Sequence, residues 1–510
     1  MKRPNGSQKN RYPAAGNHKN SAARKRTAVP GRPYLFPAGT GRCIPAGRRV
    51  RAAAFLSALL ALCFLLGACS RGREDPVIIW SDRAELASYI ELFNASHDIK
   101  AVLVYKDGLS RSLPPVRDEQ IPDLLIGSWL KAASLKKNFA PIEKFFSQNK
   151  LARTDFYTKL LNYGSFGGTQ YLLPVSFNLP AVVFDEGNAS YIMNSHILTL
   201  DQIRLADREF SSRDDKGVYH TMGFAPSWDA EFLYLAAKAL GASFAEGGST
   251  FSYNRDAINF TVRYLNGWTQ DNHTSSAAEQ DFKFSYLYKP ESEWLSVGRS
   301  LFTYMNSRDF YTMRRDSDSN LSFRWVSNGT GIMIEDDMVC MGLYKKARNP
   351  NKAEVFIEWF FREDTQKALM ERYRDMALDT QEFGIAGGFS SIKSVNATLF
   401  PVFYHDLLGN MPLEDQLILP ESLPARYDLY KERIIIPFLV ENCQAEPLPE
   451  AVPGGTADAG SSGRGTADAG PGTGDGTAPA SGSPTGLSAG PEKTRRSLDD
   501  YIADWRRQAF

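Results

Sequence analysis

Residues Val77 to Tyr105, VIIWSDRAELASYIELFNASHDIKAVLVY, decide how the chain folds. The first four side chains offer no polar residue to turn toward water, so VIIW reads as a strand buried on both faces. Leu86, Tyr89, Ile90 and Phe93 then recur at steps of three and four, the spacing of a helix with one apolar face. AVLVY (101–105) is a β-branched run that predicts a second strand, and PDLLIG (122–127) a third. Strand, helix and strand in that order, with uninterrupted apolar strands, predict a parallel α/β sheet covered on both faces.

Working outward, TQYLLPVSFNLPAVVFD (169–185) predicts two β runs separated by PVSFNLP, a stretch expected to be extended but outside any sheet ladder. DAEFLYLAAKAL (229–240) and RDAINFTVRYLNGW (255–268) keep helical periodicity, whereas SLFTYM (300–305) and GIMIEDDMVCMGL (331–343) read as strands. Amphipathic helices are predicted in NPNKAEVFIEWFF (349–361), REDTQKALMERY (362–373) and ARYDLYKERIIIPFLVEN (425–442). Residues 445–493 are built from Gly, Ala, Pro, Ser, Thr and Asp, with GTADAG occurring twice, and are expected to be a disordered insertion. In the final stretch Leu498, Tyr501, Ile502 and Trp505 share one helical face, so a closing helix is expected to dock back on the body.

The charge is unevenly placed. Residues 1–68 contain thirteen Lys and Arg and no Asp or Glu, which leaves the remainder at a net −12. A body that acidic repels phosphate backbones, and nucleic-acid binding is not expected of it. Arg48, Arg49 and Arg51 precede an apolar run from Ala52 to Leu66, shorter than the roughly 20 residues a membrane span needs. The run ends in LGAC at Cys69 and turns polar at once, the layout of a signal peptide. LGAC resembles the lipobox of bacterial lipoproteins, which implies cleavage before Cys69, acylation of its thiol, and a lipid-anchored protein on the extracytoplasmic face of a bacterial membrane. Of the other cysteines, Cys340 reads as a buried free thiol and Cys443 as a possible partner for it.

Across these pieces the sequence resembles the extracellular solute-binding proteins of sugar ABC transporters, the maltose-binding-like class. The resemblance runs from the opening strand–helix–strand through PDLLIGSWL (122–130), FGGTQYLLPVSFNLPAVVFD (166–185), EWLSVGRSLFTYM (293–305) and NKAEVFIEWFFREDTQKALM (351–370), and resumes at RSLDDYIADW (496–505). It implies an α/β, two-lobed periplasmic-binding-protein-like (type II) fold with a ligand cleft between the lobes. On that reading a basic leader and signal peptide occupy 1–68 and a lipidated tether 69–76. Lobe 1 comprises 77–178 and 337–388, lobe 2 comprises 179–336 and 389–444, and 494–510 form a helix docking on lobe 2 beyond the insertion 445–493. The implied partners are a small-molecule ligand, a sugar first and a polyamine or amino acid as the alternative, and the transmembrane subunits of an ABC permease. A repurposed sensor lipoprotein is a further alternative and an envelope glycosidase the least favoured, and the chain is expected to be a monomer and not an enzyme.

Ligands of α/β sheets sit beyond the carboxyl ends of strands. That placement selects Trp80, Ser81 and Asp82 after the first strand, Trp129 after the third, Phe177 and Asn178 at the crossover, Trp228 before a helix, and Tyr304 and Asn306 at the end of SLFTYM. Indoles and phenols stack on the C–H faces of pyranoses while carboxylates and amides bridge hydroxyl pairs, so this set suits a sugar. Asp336 is added as a hydroxyl acceptor, and Tyr427 because the family presents an aromatic from the corresponding helix. Trp268, Trp325 and Trp359 are assigned to the core. The triplet Glu335-Asp336-Asp337 is the one acidic cluster reminiscent of glycoside hydrolysis, but as strand residues its members are expected to point to opposite faces. No G-x-S-x-G, P-loop or H-E-x-x-H occurs, the six histidines lack metal spacing, and no cofactor or metal is expected. Gly387-Gly388-Phe389 is read as a hinge or close-approach turn.

Overall fold

The computed structural model describes residues 75–247, 250–315, 320–377, 382–443 and 496–509. The leader, Cys69 and the insertion 445–493 lie outside the described residues.

Strands Val77–Ser81, Ala101–Tyr105 and Leu124–Gly127 are parallel neighbours, with the first in the middle. All five residues of Val77–Ser81 are buried, as a strand covered on both faces requires. Helix Leu86–Ser96 makes the first crossover and buries Leu86, Tyr89, Ile90 and Phe93. Asn94 fixes its exit: the side chain donates to the Ala101 carbonyl at 2.9 Å and accepts from its N–H at 2.7 Å, stapling the helix to the start of the next strand. Antiparallel strands Val339–Leu343, Leu172–Phe177 and Phe389–Ser390 extend this sheet.

A second sheet orders Thr303–Asn306, Pro180–Asp185, Leu321–Ser327, Ile332–Met333 and Leu417–Ile418, with Ile197–Thr199 also pairing Leu321–Ser327. One core cluster covers the first sheet and runs onto Phe323 and Trp325 of the second. Another packs the opposite side of the second sheet with helices Leu200–Phe210, Ala230–Ala239 and Arg255–His273. Trp268, Trp325 and Trp359 are all buried in these cores.

Two expectations need correction. PVSFNLP is not outside the ladders: Pro174 pairs with Cys340 in the first sheet, and Pro180 opens the strand that pairs with Thr303–Asn306. The prolines are tolerated because one lies where the register shifts between Val339 and Cys340, and the other is the first residue of its strand. Only Asn178 and Leu179 stand between the two sheets. The switch to lobe 2 at 389 also fails. Phe389–Ser390 pairs with Leu172–Phe177 of the first sheet, and Phe400, Tyr404 and Leu407 join the first core, so the return to the second sheet comes only at Leu417.

Gly387 has φ 72°, and a Cβ on Gly388 would stand 2.7 Å from the Phe177 carbonyl oxygen, a backbone atom that cannot swing away. Gly388→Ala therefore forces the crossover strand outward. We expect it to lower the unfolding free energy by about 1–3 kcal/mol in urea titration.

The helix expected over 425–442 forms as Tyr427–Tyr430, a wider π turn at Lys431–Ile435, and Ile436–Cys443. Pro437, which has no N–H to donate, follows the widened turn directly. Helix Leu498–Ala509 buries Leu498 and Ile502 in the second core, with Tyr501 against Phe438 and Trp505 against Tyr430. Cys340 and Cys443 are both buried and form no disulfide with each other, and burial pushes the Cys340 thiol up to about 12. Among the described residues no helix is long and apolar enough to cross a membrane, and no cluster of His, Cys, Asp and Glu is arranged to hold a metal.

Candidate functional site

A cavity of about 330 Å³ opens between Trp129, from the loop after Leu124–Gly127, and a wall supplied by the second sheet and its helices. That wall consists of Asp229 and Glu231, Tyr304 to Asn306, Asp309, the triplet Glu335 to Asp337, and Lys431. The lobes also touch around it. Ser110 Oγ donates to the Ala425 carbonyl at 2.6 Å, Arg111 pairs with Asp428, and the Ala133 N–H donates to Glu246 at 2.9 Å.

Trp129 adopts φ 62°, an uncommon backbone state for a bulky residue, and lies half-buried with its ring 5.8 Å from Tyr427. Tyr427 is wholly buried, and its hydroxyl shares a 2.8 Å hydrogen bond with that of Tyr234. Tyr234 in turn donates to Asp336 at 2.5 Å. Tyr427 thus acts behind the indole, not on the cavity.

The acidic triplet overturns the alternation expected of it. Residues 334–338 form a turn between Ile332–Met333 and Val339–Leu343, so period two does not apply and all three residues line the cavity. Two of them are ion-paired: Lys238 reaches Asp336 at 2.5 Å, and Arg83 reaches Asp337 at 3.3 Å. For Asp337 burial disfavours the charge, but Arg83 and Arg308 outweigh it and hold the carboxyl below its ordinary range. Glu335 has no ion pair among the described residues and accepts from the Tyr304 hydroxyl at 2.9 Å. Burial pushes it up to about 7, against the pull of Lys431 and Lys238. Lys431, leading the π turn, pairs with Glu231 at 2.5 Å.

Asp229 accepts from the Phe232 N–H at 2.9 Å and so caps helix Ala230–Ala239, while its side chain also lines the cavity. Burial raises its pKa. Asn306 accepts from the Asp309 N–H at 3.0 Å and donates to its carboxylate at 2.8 Å, which holds Asp309 on the exposed rim.

Of the residues expected from sequence, Trp129, Tyr304, Asn306 and Asp336 line this cavity. The others do not, each for a visible reason. Trp80 is 1% exposed within the first core, with the Lys106 ammonium 4.1 Å above its ring. Ser81 is buried and donates to the Ile126 carbonyl at 2.5 Å. Asp82 accepts from the Ser128 N–H at 3.1 Å behind the cavity, where burial lifts it to about 6. Phe177 packs edge-on against Tyr157 in the core. Asn178 donates to the Gly387 carbonyl at 2.8 Å and accepts from Ser307 at 2.6 Å, locking the crossover instead of presenting an amide. Trp228 stacks on Phe282 at 5.7 Å and donates to the Glu279 carbonyl at 3.2 Å, so its ring belongs to a satellite cluster. Its neighbour Asp229 is the residue that reaches the cavity. Asp229, Glu231, Asp309, Glu335, Asp337 and Lys431 were missed; the cap position before Ala230 was the one local signal for any of them.

No protein-family model matches the sequence, and no curated protein matches it. Solved structures do. The cyclic α-maltosyl-1,6-maltose binding protein from Arthrobacter globiformis superposes with a TM-score of 0.51 at 15% identity, covering 73% of this chain and 95% of that one. The fold is that of the two-lobed solute-binding proteins. The GacH receptor of Streptomyces glaucescens, solved unliganded and in complex with acarbose, gives a TM-score of 0.50 at 14% identity over 73% of this chain and 94% of that one. The galacto-N-biose/lacto-N-biose I-binding protein of the ABC transporter from Bifidobacterium longum gives 0.49 at 13% identity over 74% and 94%. The cavity beside Trp129 lies between the two lobes of that fold.

Proposed function

We propose that the protein is a carbohydrate receptor of an ABC importer, tethered outside the cytoplasm through Cys69, that captures a sugar between its lobes and hands it to a separate permease. The observation that carries this reading is the cavity itself. One indole stands on one lobe, and Tyr304, Asn306 and a set of carboxylates stand on the other, at the gap of a two-lobed binding fold. An aromatic face stacks on a pyranose ring, and carboxylates and amides accept from its hydroxyls. Contacts on both lobes favour the closed form only when ligand joins them. A neighbour named as a cyclic α-maltosyl-1,6-maltose binding protein and a receptor solved in complex with acarbose agree with that chemistry.

The reading is non-enzymatic. Neighbours named as a binding protein and a receptor support it, and two of the cavity's acidic residues, Asp336 and Asp337, are committed to Lys238 and Arg83. Native mass spectrometry of the full chain with a mixture of soluble oligosaccharides tests both halves. A one-to-one complex whose ligand is recovered intact after long incubation is expected. Shortened ligand would make the protein a glycosidase, and no complex with any sugar would remove the carbohydrate reading.

A further inference from the structure

Resting on the reading of this cavity as the sugar site, we propose that its solute is a sugar carrying a protonated amine. A neutral sugar asks for acceptors and donors in rough balance, because each hydroxyl is both. The wall opposite Trp129 is not balanced. It is lined by six acidic residues and a single lysine, Lys431. Lys431 is taken by Glu231, and of the further cations whose charge reaches this wall Lys238 is taken by Asp336 and Arg83 by Asp337. Asp229, Asp309 and Glu335 are left with no ion pair among the described residues. Lys283, whose charge bears on Asp229, makes no ion pair with it and donates its ammonium to the Trp228 carbonyl at 2.9 Å. Arg308, beside Asp309, donates its Nε to the Gly387 carbonyl at 2.9 Å.

Carboxylates grouped in a partly dry cavity repel one another, and burial opposes charge on Asp229 and Glu335. A ligand ammonium relieves both costs at once. It brings up to three donors and no acceptor, and bonds to ionised groups are stronger than neutral ones. Trp129, on the opposite side of the cavity, offers a π face that attracts a cation as well as a sugar ring. A linear polyamine would use the carboxylates but bring no ring to lie on the Trp129 face. An amino sugar uses both.

The test is calorimetric titration of the full chain with matched sets: glucosamine, galactosamine and mannosamine and their β-linked dimers, the N-acetylated counterparts, the hydroxyl counterparts, and spermidine. At least one amino sugar is expected to bind about 10-fold or more tightly than both of its uncharged counterparts. The preference should shrink as salt rises. It should also fall by about 10-fold in Glu335→Gln and in Asp229→Asn, while each variant keeps its circular dichroism; using both guards against the loss of one helix cap. Equal affinity for charged and uncharged partners would overturn the amine and leave the sugar receptor standing. Spermidine binding with silence from every sugar would overturn the amino sugar and the carbohydrate reading together, as would silence across the whole panel.

Discussion

His273→Ala is expected to destabilise the protein by about 3–5 kcal/mol, the cost of leaving buried carboxylates without their cation. Its ring is wholly buried, with Nδ1 2.8 Å from Glu279 and Nε2 2.9 Å from Asp207, both also buried. A neutral imidazole donates from one nitrogen only, so a ring facing carboxylates on both sides is satisfied as the imidazolium. Burial opposes that charge, but Asp207 and Glu279 outweigh it and lift the ring from 6.5 to about 9. Because the folded value is raised, this contribution is complete below pH 6.5 and is lost as pH climbs through about 9. Asp207 runs the other way. Burial opposes its ionisation, His273 and its hydrogen bonds prevail, and its contribution fades as pH falls below the ordinary carboxylate range. Urea unfolding from pH 4 to 10 should therefore show the largest gap between wild type and His273→Gln between about pH 5 and 6.5, closing toward the alkaline end.

That cluster also bears on the cavity. Asp207 accepts from the Phe224 N–H at 2.9 Å and Glu279 from Ser227 at 2.5 Å, and these two residues bracket the loop that delivers Asp229. Loss of His273 should consequently loosen ligand binding along with stability.

Trp129→Ala is the second large effect, a loss of about 2 kcal/mol or roughly 30-fold in affinity for the proposed sugar ligand. The indole is the cavity's sole aromatic from the first lobe among the described residues, so its removal takes away the contact that draws that lobe onto the ligand. Stability should change little, since the ring is only half-buried. Calorimetric titration of wild type and variant with the same sugar checks the affinity, and thermal unfolding without ligand checks the rest.

The doubly covered strand Val77–Ser81 and the helix face of Leu86, Tyr89, Ile90 and Phe93 were legible because burial leaves a periodic trace in sequence. Binding residues leave a weaker one. Trp80 and Trp228 sit beside polar loop residues just as Trp129 does, yet pleat direction sends Trp80 into the sheet's covering layer, and Phe282, 54 positions downstream, captures Trp228. The acidic triplet was misread because alternation was applied to a turn. Lys431 could not be found because its place depends on a π turn that shifts the helix face by part of a residue.

The most direct test of the receptor is the thermal unfolding midpoint of the full chain with each member of a carbohydrate panel, for wild type and Trp129→Ala side by side. A sugar present at 100 times its Kd adds about 2.7 kcal/mol if only the folded form binds. The account predicts that one class of sugar raises the wild-type midpoint and that the same concentration leaves the Trp129→Ala midpoint nearly unmoved. A panel that shifts neither protein, or one that shifts both equally, would contradict a sugar site between the lobes at Trp129.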